Sequence, residues 1–190
     1  MIGICGNIGS GKTTVARIFA NLGARYLSAD ELGWKVLPKI SAGLKREFGT
    51  NFFSDGKVDR KKLAEIVFAN KEKLDRLNRL SHPILIKSLI RELAKIKSGI
   101  VVVDGALLFD WPKVYKKIDF PILVVAKRKL KKMRTIKRGI SENLFNKIIS
   151  VQKSEKEMAQ MAKDIIRNNG TLASLEKRCR KLFEELRNDC

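Results

Sequence analysis

The sequence has little cysteine and no long apolar run, and each absence excludes a class of protein. Its three cysteines, Cys5, Cys179 and Cys190, are widely spaced and form no CxxC pair. We therefore expect reduced thiols in a cytoplasmic protein, with no disulfides and no metal ligands among them. No apolar run reaches the roughly eighteen residues of a membrane span, and no basic region followed by a long apolar stretch opens the chain. We therefore expect neither a membrane span nor a secretion signal.

Acidic residues are also scarce. The chain has 20 Asp and Glu residues against 40 Lys and Arg residues, which gives a formal net charge of +20. Such an excess favours polyanionic partners, namely nucleic acid, an acidic membrane surface or phosphorylated small molecules. Aromatic residues, which stack on unpaired bases, make up only 7% of the chain, and no nucleic-acid recognition motif is visible. A nucleic-acid partner is therefore not expected.

Short apolar strands alternate with amphipathic helices along most of the chain. The predicted strands lie at about residues 1–5, 24–30, 100–103, 118–126 and 164–170. Alternation of this kind predicts a parallel sheet with helices on both faces. The predicted fold class is therefore α/β, in a single domain of 190 residues.

Residues 39–98 interrupt the alternation, because they show helical apolar spacing and no strong strand. Asp59, Asn70 and Ser81 are candidate helix caps in this segment, and Pro83 suits the first turn of a helix. Within the single domain we therefore distinguish a core of about 1–38, 99–126 and 163–190, a helical insertion of about 39–98, and a region of about 127–162 that begins with a basic helix.

The stretch GNIGSGKT fits the pattern G-x-x-x-x-G-K-[ST] and lies between a predicted strand and a predicted helix. In such a loop successive backbone N–H groups point at a polyphosphate, which requires glycine where side chains would collide. Lys12 would reach the β- and γ-phosphates of ATP, and the Thr13 hydroxyl would bind Mg²⁺. An ordinary glycine-rich turn is disfavoured because motif and context agree. The loop residues expected to bind ATP are Gly6, Asn7, Ile8, Gly9, Ser10, Gly11, Lys12, Thr13 and Thr14.

Two carboxylates are predicted at the same edge of the sheet, because ligands of such sheets gather at the carboxyl ends of the strands. Asp30 follows the second strand and Asp104 the third. We expect Asp30 to accept the proton of an attacking hydroxyl and Asp104 to hold Mg²⁺. The alternatives are a helix N-cap for Asp30 and a capping or turn residue for Asp104.

The basic helix KRKLKKMRTIKR, at 127–138, places Arg134 and Arg138 on one face. The functional interpretation is a mobile lid whose guanidinium groups close over the transferred phosphate. The alternatives are a solvated charged face and a helix that lies on nucleic acid. Because the helix directly follows a sheet strand in a chain with a phosphate loop, we favour the lid.

Three further residues have two interpretations each. His82, the only histidine, lies in the insertion and is either structural or in contact with the substrate. Trp34 and Phe109 could stack on a base or on an extended arm of a substrate, but core packing is the favoured interpretation for both.

Taken together, these motifs resemble those of the dephospho-CoA kinase family over nearly the full chain. The family's TGGIGSGKST corresponds to CGNIGSGKTT, its DAD to SAD with Asp30, its LxHP to LSHP with His82, and its DxPLLFE to DGALLFD. Its RxxxR corresponds to Arg134 and Arg138, and its ADxxIxNxG to AKDIIRNNG. Proline and glutamate of DxPLLFE are replaced here, a family glutamine corresponds to Gln152, and Met158 occupies a basic position of the family.

The resemblance implies a three-layer P-loop kinase with a five-stranded parallel sheet, a helical acceptor-binding insertion and a basic lid. It implies transfer of phosphate from ATP, with Mg²⁺, to the ribose 3′-hydroxyl of dephospho-coenzyme A. Asp30 would be the general base, Lys12, Arg134 and Arg138 would also be catalytic, and Asp104 would join Thr13 at the metal. Asn168, Asn169 and Gly170 would lie near adenine. His82, Leu107 and Leu108 would contact the acceptor.

Two alternatives stay open beside this interpretation. One is a kinase for another nucleotide or nucleoside, and the other is an ATP-dependent nucleic-acid-binding protein, suggested by the net charge and the 127–138 helix. For the favoured enzyme we expect small-molecule partners only, no membrane partner, a cytoplasmic location, and a monomer or a weak homo-oligomer.

Overall fold

The structure is a computed structural model that describes residues 1–188, so Cys190, expected to be a reduced thiol, lies outside the described residues. The strands are Ile2–Cys5 (β1), Arg25–Ser28 (β2), Phe53–Ser54 (β3), Lys57–Val58 (β4), Val101–Asp104 (β5), Phe120–Val125 (β6) and Asp164–Arg167 (β7). The helices are Lys12–Asn21 (α1), Ala29–Val36 (α2), Ser41–Phe48 (α3), Arg60–Val67 (α4), Lys71–Ala94 (α5), Pro112–Tyr115 (α6), Arg128–Ile136 (α7), Glu142–Val151 (α8), Glu155–Ala159 (α9) and Leu172–Asn188 (α10).

Five of the strands form one parallel sheet in the order β2-β5-β1-β6-β7, which confirms the predicted α/β class and the five-stranded core. Strands β1 and β5 are buried at every residue, because helices cover both faces of the sheet. Successive side chains of a strand point to opposite faces, so Ile4 joins the layer of α1 and α10 while Cys5 joins the layer of α2 and α5. The fold therefore has three layers.

The insertion is helical as predicted, but two of its predicted features are wrong. Residues 71–94 form one continuous helix, so Ser81 and Pro83 lie in its interior and do not begin a new helix. The Ser81 hydroxyl donates to the Leu77 carbonyl, and buried Leu85 and Leu89 hold the helix against the core beyond the proline. Asp59 and Asn70 cap α4 and α5 as predicted.

The short strands and α-helices that were not predicted are the β3-β4 hairpin and the helices α6 and α9. The hairpin pairs only Phe53 with Val58 and Ser54 with Lys57, which is too short for an alternating apolar pattern. Helix α9 has five residues and depends on a capping box between Ser154 and Glu157. Among residues 1–188, no helix is both long enough and apolar enough to cross a membrane. Cys5 and Cys179 are free thiols, and burial raises the pKa of each to about 11.

The layer of α1 and α10 supplies a test of the packing. Phe19 of α1 is 0% exposed, and its ring centroid lies 5.5 Å from that of Phe183 of α10. Replacing Phe19 with alanine leaves a cavity, so we expect Phe19→Ala to lower the free energy of unfolding by about 3–5 kcal/mol. Urea unfolding followed by circular dichroism measures this loss. Leu172→Ala, at a side chain that is 58% exposed, is the control and should stay within about 0.5 kcal/mol.

Candidate active site

The loop between β1 and α1 has the geometry that a phosphate cradle requires. Gly9 has a φ of 76° and Gly11 a φ of 99°, both in the left-handed region, and α1 begins directly after Gly11 with free N–H groups at its N-terminus. A Cβ on Gly9 would lie 2.4 Å from the Lys131 carbonyl oxygen, and a Cβ on Gly11 would lie 2.2 Å from Nδ2 of Asn168. Glycine is therefore needed at both positions for close packing as well as for the backbone conformation.

Side chains that follow β6 and β7 in the sequence hold this loop in place. The Asn168 side-chain amide, at the end of β7, donates to the Ser10 carbonyl at 2.8 Å. Nη2 of Arg134, in α7, donates to the Asn168 carbonyl at 3.0 Å and contacts its Oδ1 at 3.3 Å. The predicted adenine-side residue Asn168 and the predicted lid residue Arg134 are thus brought together behind the phosphate loop. Asn169 accepts a hydrogen bond from the Lys127 N–H at 2.8 Å, and it is exposed, like Gly170.

Sequence reasoning assigned no site role to Gln152, although the family resemblance pointed to it. Its Oε1, in the link between α8 and α9, accepts the Ile8 N–H at 3.0 Å. Nearby, Lys131 of α7 is only 7% exposed and pairs with Glu155 of α9 at 2.6 Å. The region 127–162 therefore contacts the phosphate loop at Ile8, Gly9 and Ser10.

Asp104 lies at the carboxyl end of β5, as predicted, and is 0% exposed. Its Oδ2 accepts from the Thr13 hydroxyl at 2.7 Å, and its Oδ1 accepts from the Tyr26 hydroxyl at 3.0 Å. Burial raises the pKa of Asp104, and the Thr13 hydrogen bond opposes that rise. Tyr26 was missed by sequence reasoning, because only the pairing of β2 with β5 brings the two residues together.

Asp30, the second residue of α2, lies beside Lys12 of the phosphate loop. Its Oδ2 lies 3.4 Å from Nζ of Lys12, and its Oδ1 accepts from the Ala106 N–H at 3.4 Å. The side chain of Asp30 is 47% exposed, whereas that of Lys12 is 13% exposed. The interpretation of Asp30 as a helix cap is wrong, because β2 ends at Ser28 and the Ser28 side chain caps α2 by accepting the Glu31 N–H. The Asp30 carboxylate is therefore available to a ligand.

The proposed acceptor residues lie along the segment after β5. The Trp111 indole N–H donates to Nδ1 of His82 at 3.3 Å, so His82 is neutral at that nitrogen, and burial lowers its pKa. Both residues line a cavity of about 1090 Å³ between α5 and the start of α6. Leu107 is half-buried, whereas Leu108 is 0% exposed and packs in the core.

The remaining residues that the sequence singled out differ in their exposure to solvent. Arg138 lies one turn beyond Arg134, is exposed, and donates from Nε to the Arg134 carbonyl at 3.2 Å. Phe109 is 3% exposed and packs in the core as expected, but Trp34 is 39% exposed and is not a core residue. Within residues 1–188 no three His, Cys, Asp or Glu side chains form a metal cluster.

Comparisons with known proteins agree on one family. The family model described as dephospho-CoA kinase matches residues 1–174. A dephospho-CoA kinase of Aquifex aeolicus is 35% identical over 99% of this chain and 98% of the relative. A solved protein of Thermus thermophilus superposes with a TM-score of 0.77 at 31% identity, covering 97% of this chain and 96% of that one. A solved dephospho-CoA kinase of Campylobacter jejuni gives 0.70 at 25% identity, with the same coverage of both chains.

The half-buried His82 predicts a pH dependence of stability. Folding lowers the pKa of His82, so below about pH 6.5 the imidazole binds a proton more readily in the unfolded chain than in the folded chain. The contribution of neutral His82 to the free energy of unfolding is therefore complete above that pH and is lost as the pH falls below it. We expect His82→Asn, which keeps an acceptor for Trp111, to lose less stability than the parent between about pH 7 and pH 5. Urea unfolding at several pH values measures the difference, and parallel curves would contradict the assignment.

Proposed function

The chain belongs to the dephospho-CoA kinase family, and we propose which of its residues carry out the phosphate transfer. The enzyme uses ATP to phosphorylate the ribose 3′-hydroxyl of dephospho-coenzyme A, giving coenzyme A and ADP. The observation that carries the proposal is the placement of the Asp30 carboxylate 3.4 Å from the Lys12 ammonium, at the mouth of the phosphate loop. A kinase for a different nucleotide is not favoured by the comparisons.

The proposed donor site is the phosphate loop. Backbone N–H groups of residues 9–14 bind the triphosphate at the N-terminus of α1, and Lys12 neutralises the β- and γ-phosphate oxygens. Adenine lies beside Asn168, Asn169 and Gly170. The support for this placement is the hydrogen bond from Asn168 to Ser10, which joins the adenine side to the loop.

The proposed general base is Asp30. In the transfer the 3′-oxygen forms a bond to the γ-phosphorus, the bond from that phosphorus to the bridging oxygen of ADP breaks, and the hydroxyl proton passes to the Asp30 carboxylate. Asp30 suits this role because it is half-exposed, so an alcohol can reach it. Lys12 belongs to the phosphate loop, and its ammonium lies 3.4 Å from that carboxylate, so it can neutralise the charge that develops on the β-phosphate.

Mg²⁺ fits the other carboxylate. Thr13 and Asp104 present a hydroxyl and a carboxylate 2.7 Å apart, and oxygen donors of this kind suit a hard cation that also binds substrate phosphates. A site of this type needs only one or two protein ligands, in keeping with the absence of a three-residue cluster among residues 1–188. When bound, the ion would neutralise charge on the β- and γ-phosphates. Thr13 and Asp104 would hold it, and Tyr26 would orient Asp104.

The proposed acceptor site lies between the insertion 39–98 and the segment after β5. His82 and Leu107 are its candidate contacts, and the cavity beside His82 and Trp111 is large enough for an extended arm of the acceptor. Leu108, whose side chain is fully buried, supports the position of Leu107 through the core.

The proposed lid is the region 127–162, with Arg134 and Arg138 near the transferred phosphate. The two arginines have different surroundings. Arg134 is held by Asn168 and the phosphate loop, whereas Arg138 is exposed and donates from Nε to the Arg134 carbonyl. We therefore assign charge neutralisation during transfer to Arg138 and positioning of the donor site to Arg134.

We also propose that the enzyme works in the cytoplasm as a monomer or a weak homo-oligomer, with small molecules as its only partners. The support is that one chain supplies the phosphate loop, both carboxylates and both arginines of the proposed site. Exposed large apolar side chains among residues 1–188, such as Met133 at 57% and Leu172 at 58%, are few.

Asp30→Asn tests the base. We expect kcat with dephospho-coenzyme A to fall by roughly 10²- to 10⁴-fold while the KM for ATP changes little, because the amide cannot take the proton. A coupled assay of ADP formation measures both constants. Glu31→Gln, which changes the next carboxylate of α2, is the control. A selective loss of ATP affinity would instead make Asp30 a nucleotide ligand. If the parent phosphorylates adenosine monophosphate faster than dephospho-coenzyme A, the acceptor is a different nucleotide.

A second pair of variants separates the two arginines. We expect Arg138→Ala to lower kcat by about tenfold or more with little change in melting temperature, because the side chain is exposed. Arg134→Ala should raise the KM for ATP and lower the melting temperature, because it frees the Asn168 carbonyl. Lys137→Ala removes a neighbouring charge as the control. A collapse in stability of Arg138→Ala would show that Arg138 is structural.

A further inference from the structure

Trp34 lies outside the buried core of the protein. It lies on α2 four residues after Asp30, so the two side chains share one face of that helix. A rise of about 1.5 Å per residue places Trp34 about 6 Å further along the axis. Its side chain is 39% exposed, whereas Trp111 is 5% exposed and binds His82.

Arg60 fixes the orientation of the Trp34 ring. The guanidinium carbon of Arg60 lies 4.8 Å from the centroid of the indole. Arg60 is the first residue of α4, and that helix end is held by Asp59, whose carboxylate accepts from the N–H groups of Lys61 and Lys62. The indole is therefore supported on one face by a residue of the insertion, and its exposure leaves area for a ligand.

The position of Trp34 limits what that ligand can be. If Asp30 receives the proton of the acceptor's 3′-hydroxyl, the acceptor's ribose lies at the start of α2. The adenine is joined directly to that ribose, whereas the pantetheine arm is separated from it by the diphosphate. The flat group within one helical turn of Asp30 is therefore the base, and a base stacks well on an indole.

On these grounds, and resting on the proposed function, we propose that Trp34 stacks on the adenine of dephospho-coenzyme A and, backed by Arg60, sets the affinity for the acceptor. Trp34 is a binding residue in this assignment and takes no part in the transfer itself. It acts on the acceptor alone, because the donor adenine is assigned to residues 168–170 at the other end of the site.

The first test is kinetic. Loss of one stacked base raises a dissociation constant by roughly 5- to 150-fold, so we expect Trp34→Leu to raise the KM for dephospho-coenzyme A about tenfold or more. The KM for ATP and kcat should change less than about threefold. Trp34→Phe keeps a smaller ring and should fall between Trp34→Leu and the parent. Arg60→Met should raise the acceptor KM several-fold, while Lys61→Met, which removes the same charge from the same turn, should not.

The second test identifies the bound group. The chain has two tryptophans, so the emission of the parent minus that of Trp34→Phe isolates the signal of Trp34, and a non-hydrolysable ATP analogue fills the donor site. We expect dephospho-coenzyme A to change the Trp34 emission and 4′-phosphopantetheine, which lacks adenine, to leave it unchanged. An equal response to both compounds would assign the ring to the arm and overturn the proposal.

The two tests separate this proposal from the proposed function. An unchanged acceptor KM in Trp34→Leu, with a parent that phosphorylates dephospho-coenzyme A, would make the Trp34–Arg60 contact a structural clamp between α2 and α4 and leave the enzyme assignment intact. A parent that transfers no phosphate to dephospho-coenzyme A would overturn the proposed function itself.

Discussion

The close packing of the phosphate loop is the constraint on which the rest of the site depends. Gly9 lies against a carbonyl of α7, and Gly11 lies against the Asn168 amide, so neither position has room for a side chain. Asn168 and Gln152 bind backbone groups of the same loop from distant parts of the chain. The loop is therefore shaped by its neighbours before any phosphate arrives, which lowers the cost of ordering it on binding.

The same edge of the sheet holds two carboxylates whose surroundings differ. Asp104 is fully buried and already accepts two hydroxyl hydrogen bonds, whereas Asp30 is half-exposed and faces an ammonium group. A buried carboxylate whose donors are in place suits a fixed ligand, and an exposed one suits a group that exchanges a proton with an incoming alcohol. Different environments thus support different proposed roles for one residue type.

Patterns that act locally were predictable. The loop motif, the apolar strands and the caps at Asp59 and Asn70 depend on neighbours within a few residues, and the structure has them at those positions. Ser81 and Pro83 misled the prediction, because a serine followed by a proline favours a helix start. The burial of Leu85 and Leu89 overrides that local preference and keeps α5 continuous. The family resemblance supplied the acceptor, which no local pattern specifies.

The sequence by itself determined the layered α/β fold and the chemical types available at the edge of the sheet, because strand period, helix period and glycine spacing are written along the chain. Only the tertiary structure decided which groups meet. Ser28 caps α2, and this leaves the Asp30 carboxylate available to a ligand. The strand order brings Tyr26 to Asp104. Arg60 of the insertion supports Trp34 outside the core. These contacts join residues that are distant in sequence or depend on which helix turn faces the opening, so they follow from the packing of the whole chain.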